Sequence, residues 1–211
     1  MVCPCNGDRT IRHNALRNLI CTIAALAGLM PEKEKAGVLP PRPDAETLRG
    51  EDVTNGRRPA DIWIPQWQSG GPAAWDFAVT SGLCSDVIFE TASDPGTAAV
   101  AYERHRREHL DTSQACHQQG LEFSPLVAEA HGGAWGPTAR AVWHFLAKAW
   151  GASTGKDMSS VSADLAQRTA TTLQRENARA ILRRKVPAGP IAAAACPHGW
   201  AEDDGLYASG D

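Results

Sequence analysis

The chain has 211 residues and a formal net charge of −3, with 43% hydrophobic and 21% charged residues. That length buries enough apolar surface to fold without disulfides or a structural metal, and that composition excludes a disordered chain. No apolar run reaches the ~18 residues of a membrane span, and Cys3, Cys5 and Asp8 stand where a secretion signal carries basic and then apolar residues. The six cysteines show no framework spacing, which points to reduced thiols in a nuclear or cytoplasmic, non-secreted protein with no membrane partner.

Residues 1–10 read as irregular. Residues 11–29 carry Leu16, Leu19, Ile20, Ile23 and Leu26 at helical period, with Arg12 and Arg17 mostly on the other side, and Gly28 and Pro31 as the stop. Residues 40–60, rich in proline and glycine among charges, read as a long loop. Two short apolar segments follow, at residues 61–64 and 73–80, joined by a stretch that suits a hairpin. A helix is expected over residues 97–119, a third strand over 121–130, and helices over 137–150 and 160–185. Residues 186–211 read as a disordered acidic tail. The order predicts an α/β fold with one small mixed β-sheet flanked by helices.

Each of the first two strand candidates carries one carboxylate among apolar neighbours, Asp61 before Ile62-Trp63-Ile64 and Asp76 between Trp75 and Phe77. A buried, ionised carboxylate is costly unless it is paired or holds a metal. Two of them on adjacent strands can converge on Mg²⁺ (or Mn²⁺), which takes one or two carboxylates and completes its shell with water and phosphate. The alternative is that one aspartate starts a strand and the other caps a turn.

Residues Arg57-Arg58-Pro59-Ala60-Asp61 followed by Trp75-Asp76-Phe77-Ala78-Val79-Thr80 resemble the nuclease core of the PD-(D/E)xK superfamily. More narrowly, they resemble the restriction-like endonuclease domain at the C-terminal end of non-LTR retrotransposon polyproteins. Arg12-His13-Asn14-Ala15-Leu16-Arg17 is similar to the start of that domain's first helix. Tyr102-Glu103-Arg104-His105-Arg106 is similar to a helix that carries a tyrosine and a lysine there, and Phe123-Ser124-Pro125-Leu126-Val127 with Glu129 to its next strand. The resemblance implies a restriction-endonuclease-like core over residues 11–150, a C-terminal helix over 151–185, and a remnant of a Cys/His zinc-knuckle region over 1–10.

What it implies for function is Mg²⁺-dependent nicking of DNA, so that a free 3′ end primes reverse transcription. Asp61 and Asp76 would be the metal-binding acids of strands two and three. Glu34 would match a further acid after the first helix, and its alternative is a solvated charge cluster. Ala78 stands where the wider superfamily has its lysine, and Arg106 where the retrotransposon branch donates one from the following helix. Arginine forks onto phosphate but does not deprotonate to serve as a base. Tyr102 shares a helix face with Arg106, and the two are counted with the catalytic residues; a helix-surface charge is the alternative for Arg106. Arg12, His13, Arg17 and Arg58 would face nucleic acid. Zn²⁺ at Cys3 and Cys5 would require residues upstream of this chain.

Trp67 and Trp135, in or beside glycine-rich loops, are candidates for stacking on an unpaired base, with core packing as the default. Arg175, Arg179 and Arg183 recur every four residues, as a DNA-backbone contact or as a solvated face. The net charge does not exclude a DNA partner, because residues 186–211 hold four of the 24 acids and none of the 21 bases, which leaves the rest at +1. The other readings are a catalytically inactive DNA-binding fragment and an unrelated cytosolic α/β interaction domain.

Overall fold

The computed structural model describes residues 7–40, 60–68, 70–131 and 134–183. The expected loop beyond residue 40, Arg58, Cys3, Cys5 and the acidic tail lie outside the described residues.

Helix α1, Asp8–Leu26, buries Arg12, Leu16, Ile20 and Ile23, a stripe at the three-to-four residue spacing of a helix face. Gly28, at φ 79°, accepts the left-handed turn that stops it. Strands β1 (Glu32–Lys33), β2 (Ile62–Ile64), β3 (Ala73–Thr80) and β4 (Glu122–Glu129) form one sheet in the order β1-β2-β3-β4. The β1–β2 and β2–β3 pairs are antiparallel, and β3–β4 is parallel. A parallel pair needs a long crossover, and helices α2 (Ile88–Ser93), α3 (Thr97–Glu108) and α4 (Thr112–Gln118) occupy it. Pro125 falls on β4, an edge strand, where a residue without an N–H costs least. Helices α5 (Pro137–Thr154) and α6 (Met158–Arg183) complete the described residues. The fold is therefore mixed α/β, with a four-stranded mixed sheet flanked by six helices among the described residues.

The sheet alternates cleanly. Ile62, Ile64, Ala73, Trp75 and Phe77 point into the main core, where Ile20 and Ile23 of α1, Leu146 of α5 and Leu165 of α6 meet them. The opposite face holds a smaller cluster of Ala60, Ala74, Cys116 and Leu121. Asp76 lies between Trp75 and Phe77 in sequence, so it belongs to this second face, under α3.

Three differences from the sequence expectations have physical causes. The helix expected over 97–119 is two helices, broken by a 3₁₀ turn at His109–Asp111 with Asp111 at φ 54°. The break turns α4 so that Cys116 packs into the smaller cluster, while α3 stays over β3 and β4. Strand β1 has no counterpart among the expected strands; its two residues are exposed, and pairing with β2 makes them a strand. Helix α2 buries none of its residues, so its sequence carries no apolar period to read.

Arg12 is corrected as a nucleic-acid contact. It is only 2% exposed, because it continues the inward stripe of Leu16 and Ile20. Its Nη1 donates to Asn177 Oδ1 at 2.9 Å, and Asn177 Nδ2 donates to the Ala130 carbonyl at 2.7 Å. This chain of bonds ties α1 to α6 and to the end of β4. Trp67 is likewise not free to stack on a base, while Trp135 is half-buried. Trp67 is buried edge-on against Trp75 (centroids 4.9 Å apart) and donates to Glu122, and Trp135 packs edge-on against Trp143 at 5.0 Å.

Candidate functional site

The site forms where β2 begins. The register pairs Ile62 with Trp75, so the next residues outward, Asp61 and Asp76, are cross-strand neighbours. The Asp61 N–H donates to the Trp75 carbonyl at 2.9 Å, one residue off that register. Strand β3 runs on past the end of β2, and the Asp61 carboxylate takes over the pairing: its Oδ2 accepts the Phe77 N–H at 2.6 Å. An acid here thus closes a ladder that the short β2 leaves open, and it is 1% exposed. Its other oxygen, Oδ1, meets His13 Nε2 of α1 at 2.8 Å.

Asp76, 3% exposed, is held from α3. Arg106 grips it with two parallel bonds, Nε to Oδ2 at 2.7 Å and Nη2 to Oδ1 at 2.8 Å, the strongest geometry an arginine and a carboxylate form. Burial pushes the Asp76 carboxyl above the usual carboxylate range. The Arg106 charge pulls it down, the Asp61 charge pushes it up, and the net displacement is upward. For His13, burial disfavours the imidazolium. The hydrogen bond and charge of Asp61, with the charge of Asp76, outweigh it and raise the pKa above 6.5.

Around this pair stand Arg17 and Glu34. The Glu34 N–H donates to the Asp61 carbonyl at 2.9 Å, from a left-handed turn at φ 48°. Its side chain forms an ion pair with Arg17, whose charge also bears on His13. Arg17, expected to face nucleic acid, is mostly buried in this pair instead. Tyr102 lies one helical turn before Arg106, half-buried, with its ring 5.8 Å from that of His105. The structure therefore brings together Asp61, Asp76, Arg106, His13, Arg17 and Glu34. On α6, Arg175 and Arg179 both pair with the buried Glu176, at 3.1 and 2.7 Å, and Arg183 lies 3.6 Å from Asp8.

Sequence reasoning missed Glu103. It is 1% exposed on α3, between Tyr102 and the two arginines that flank the site. It accepts the N–H groups of Thr138 (3.1 Å) and Ala139 (3.3 Å) at the start of α5 and the Thr138 hydroxyl at 2.8 Å. Arg107 donates to that same hydroxyl. The one signal in the sequence was its position four residues after Ala99, on the buried side of the helix.

The His13–Asp61 bond makes a measurable prediction for the metal-free protein. A histidine whose folded pKa is raised contributes stability that is fully present below 6.5 and lost as pH rises through the folded value. Thermal melts from about pH 6 to about pH 9 should show that loss in the parent, and His13→Gln should flatten it. Equal slopes in parent and variant would contradict the pairing.

Compared with known proteins, the chain matches no protein-family model and no curated protein. Among the described residues, no helix is long and apolar enough to cross a membrane, and no three His, Cys, Asp or Glu side chains are grouped as metal ligands.

Proposed function

We propose that this chain carries a metal-dependent DNA endonuclease domain that nicks one strand of its target, of the restriction-like type found in non-LTR retrotransposon polyproteins. The observation that supports it best is the meeting of Asp61 and Asp76, two nearly fully buried carboxylates from separate strands that act on each other electrostatically. Two adjacent acids in a buried site need compensating positive charge; Arg106 and His13 supply it in the free chain, and a divalent cation would supply it at the reacting phosphate. The donor set, two carboxylates with room for water and phosphate oxygen, fits Mg²⁺ or Mn²⁺, which need no more than two carboxylates. A divalent cation held by Asp61 and Asp76 would polarise a phosphoryl oxygen and acidify an attacking water. Glu34, beside Asp61 through the backbone, is a candidate to add negative charge at the rim of the site.

The chain's own groups divide the remaining work. Arg106 presents a planar fork that matches phosphate as well as carboxylate, and it stabilises charge on the reacting phosphodiester. Since arginine cannot take a proton, His13 Nε2 on Asp61 is the group that can hold one next to the acids. Tyr102 presents its hydroxyl to the DNA backbone from the same face of α3 as Arg106.

The test is relaxation of supercoiled plasmid by the purified chain. Nicked circles should accumulate with Mg²⁺ or Mn²⁺ and not with EDTA. A second reading, a DNA-binding domain without catalysis, is favoured by one observation: an arginine stands at the helix position of the family lysine and is bonded to Asp76. Salt-dependent DNA retention without cation-dependent nicking would select it, and absence of both would overturn the nucleic-acid reading altogether.

A further inference from the structure

Both oxygens of Asp76 are taken by a single guanidinium, at 2.7 and 2.8 Å. Asp61 is held differently, by one imidazole nitrogen and one backbone N–H. The Phe77 N–H is fixed by the strand, and α1 fixes His13. Arg106 differs in reach, not in exposure: it holds the acid on a long, flexible side chain, about 20% exposed against 22% for His13, so its fork can swing while the shorter imidazole stays on Asp61. A fork over both oxygens of a carboxylate fills two of its roughly four lone-pair sites and sets a full positive charge where a divalent cation would approach, so the two compete. The same fork binds a phosphodiester with equal geometric fit.

We infer that Arg106 is a substrate-released latch on the cation site: its fork on Asp76 keeps a divalent cation out of the free protein, and a DNA phosphate draws the fork onto its own oxygens. This rests on reading Asp61 and Asp76 as the cation site. Moving the fork leaves Asp76 beside Asp61 without its partner, and the entering cation replaces the lost positive charge. Cation and phosphate therefore bind with positive coupling, and the coupling is reciprocal, so a bound cation tightens DNA by the same factor. The latch also keeps the acid pair compensated when no substrate is present, which explains how two buried carboxylates persist together in the free fold.

The experiment is calorimetric titration of Mn²⁺ into the metal-stripped chain without DNA, for the parent, Arg106→Gln and Asp76→Asn. Arg106→Gln should bind Mn²⁺ about tenfold more tightly than the parent or better, because the competing charge-assisted fork is gone. Asp76→Asn should bind none. If Arg106→Gln binds no more tightly while the parent binds and Asp76→Asn does not, the latch is overturned and the cation site stands. If neither parent nor Arg106→Gln binds, with or without DNA, the cation site falls and the latch with it. Should Arg106→Gln fail to fold by circular dichroism, the parent decides alone. Its Mn²⁺ affinity should rise about tenfold when a DNA dodecamer is present and DNA-only binding is subtracted. An unchanged affinity overturns the latch.

Discussion

Asp76→Asn and Asp61→Asn are each expected to abolish plasmid nicking, lowering the single-turnover rate by more than about a thousandfold, while the fold survives. The reason lies in what an amide can and cannot replace. Asn has the shape of Asp but carries no charge, so it does not hold a hard cation that needs anionic oxygen. At position 61 the amide oxygen still accepts the Phe77 N–H, which closes the β2–β3 ladder, and the amide nitrogen can donate to a neutral His13. At position 76 one acceptor remains for Arg106, and that side chain, about 20% exposed, can turn its second donor to water. Removing a charge whose burial pushes its carboxyl upward also removes a cost. Melting temperatures within a few degrees of the parent, with no nicked product, are the expected pair of readings. A variant that nicks at the parent rate removes its aspartate from the site.

How much of this site could be read from the sequence depended on whether its determinants were local. Asp61 and Asp76 stand out because each lies beside or within an apolar strand segment, and a hairpin between the two segments brings the strands together. Arg106 was legible only through the helix that follows β3 in the resembling family, and its grip on Asp76 was not legible at all. His13 and Asp61 lie 48 residues apart in the chain, and nothing in either segment announces the bond. Arg12 is a partial case: its charge suggests the solvent side, its place four residues before Leu16 puts it on the buried stripe, and the partner that satisfies it there, Asn177, comes 165 residues later. Strand β1 shows the limit from the other direction. Glu32 and Lys33 have no strand propensity to offer, and the edge of β2 imposes the conformation on them. Helix interiors and apolar strands are fixed by their own residues; caps, ion pairs and edge strands are fixed by what arrives from elsewhere.

The largest stability effect is expected at a residue with no polar atoms in its side chain at all, Gly136. Its backbone is ordinary, at φ −61° and ψ 162°, so conformational freedom is not why a glycine stands there. The reason is room: a Cβ at this position would land on the carboxylate of Glu103. That carboxylate is buried and serves as the cap of an eighteen-residue helix that has no side-chain cap of its own. Gly136→Ala would therefore displace a buried charge from several donors at once. Overpacking costs ~1–3 kcal/mol, and leaving buried charged groups short of hydrogen bonds adds ~1.5–3 kcal/mol. A combined loss of about 3–5 kcal/mol should lower the melting temperature by roughly 6–20 °C for a domain of this size. Glu103→Ala is expected to cost about 3 kcal/mol or more by orphaning the same helix terminus, with no clash involved. Because the clash acts through the carboxylate, adding Gly136→Ala on top of Glu103→Ala should cost much less than it does alone, a coupling that a double-mutant cycle measures. The two changes also reach the site. Glu103 anchors α3 to α5 three residues before Arg106, so loosening it should weaken the hold on Asp76 and slow nicking at temperatures where the chain is still folded. Additive losses in the cycle would mean that Gly136 and Glu103 act separately, and the anchor on α3 would then have to be sought elsewhere.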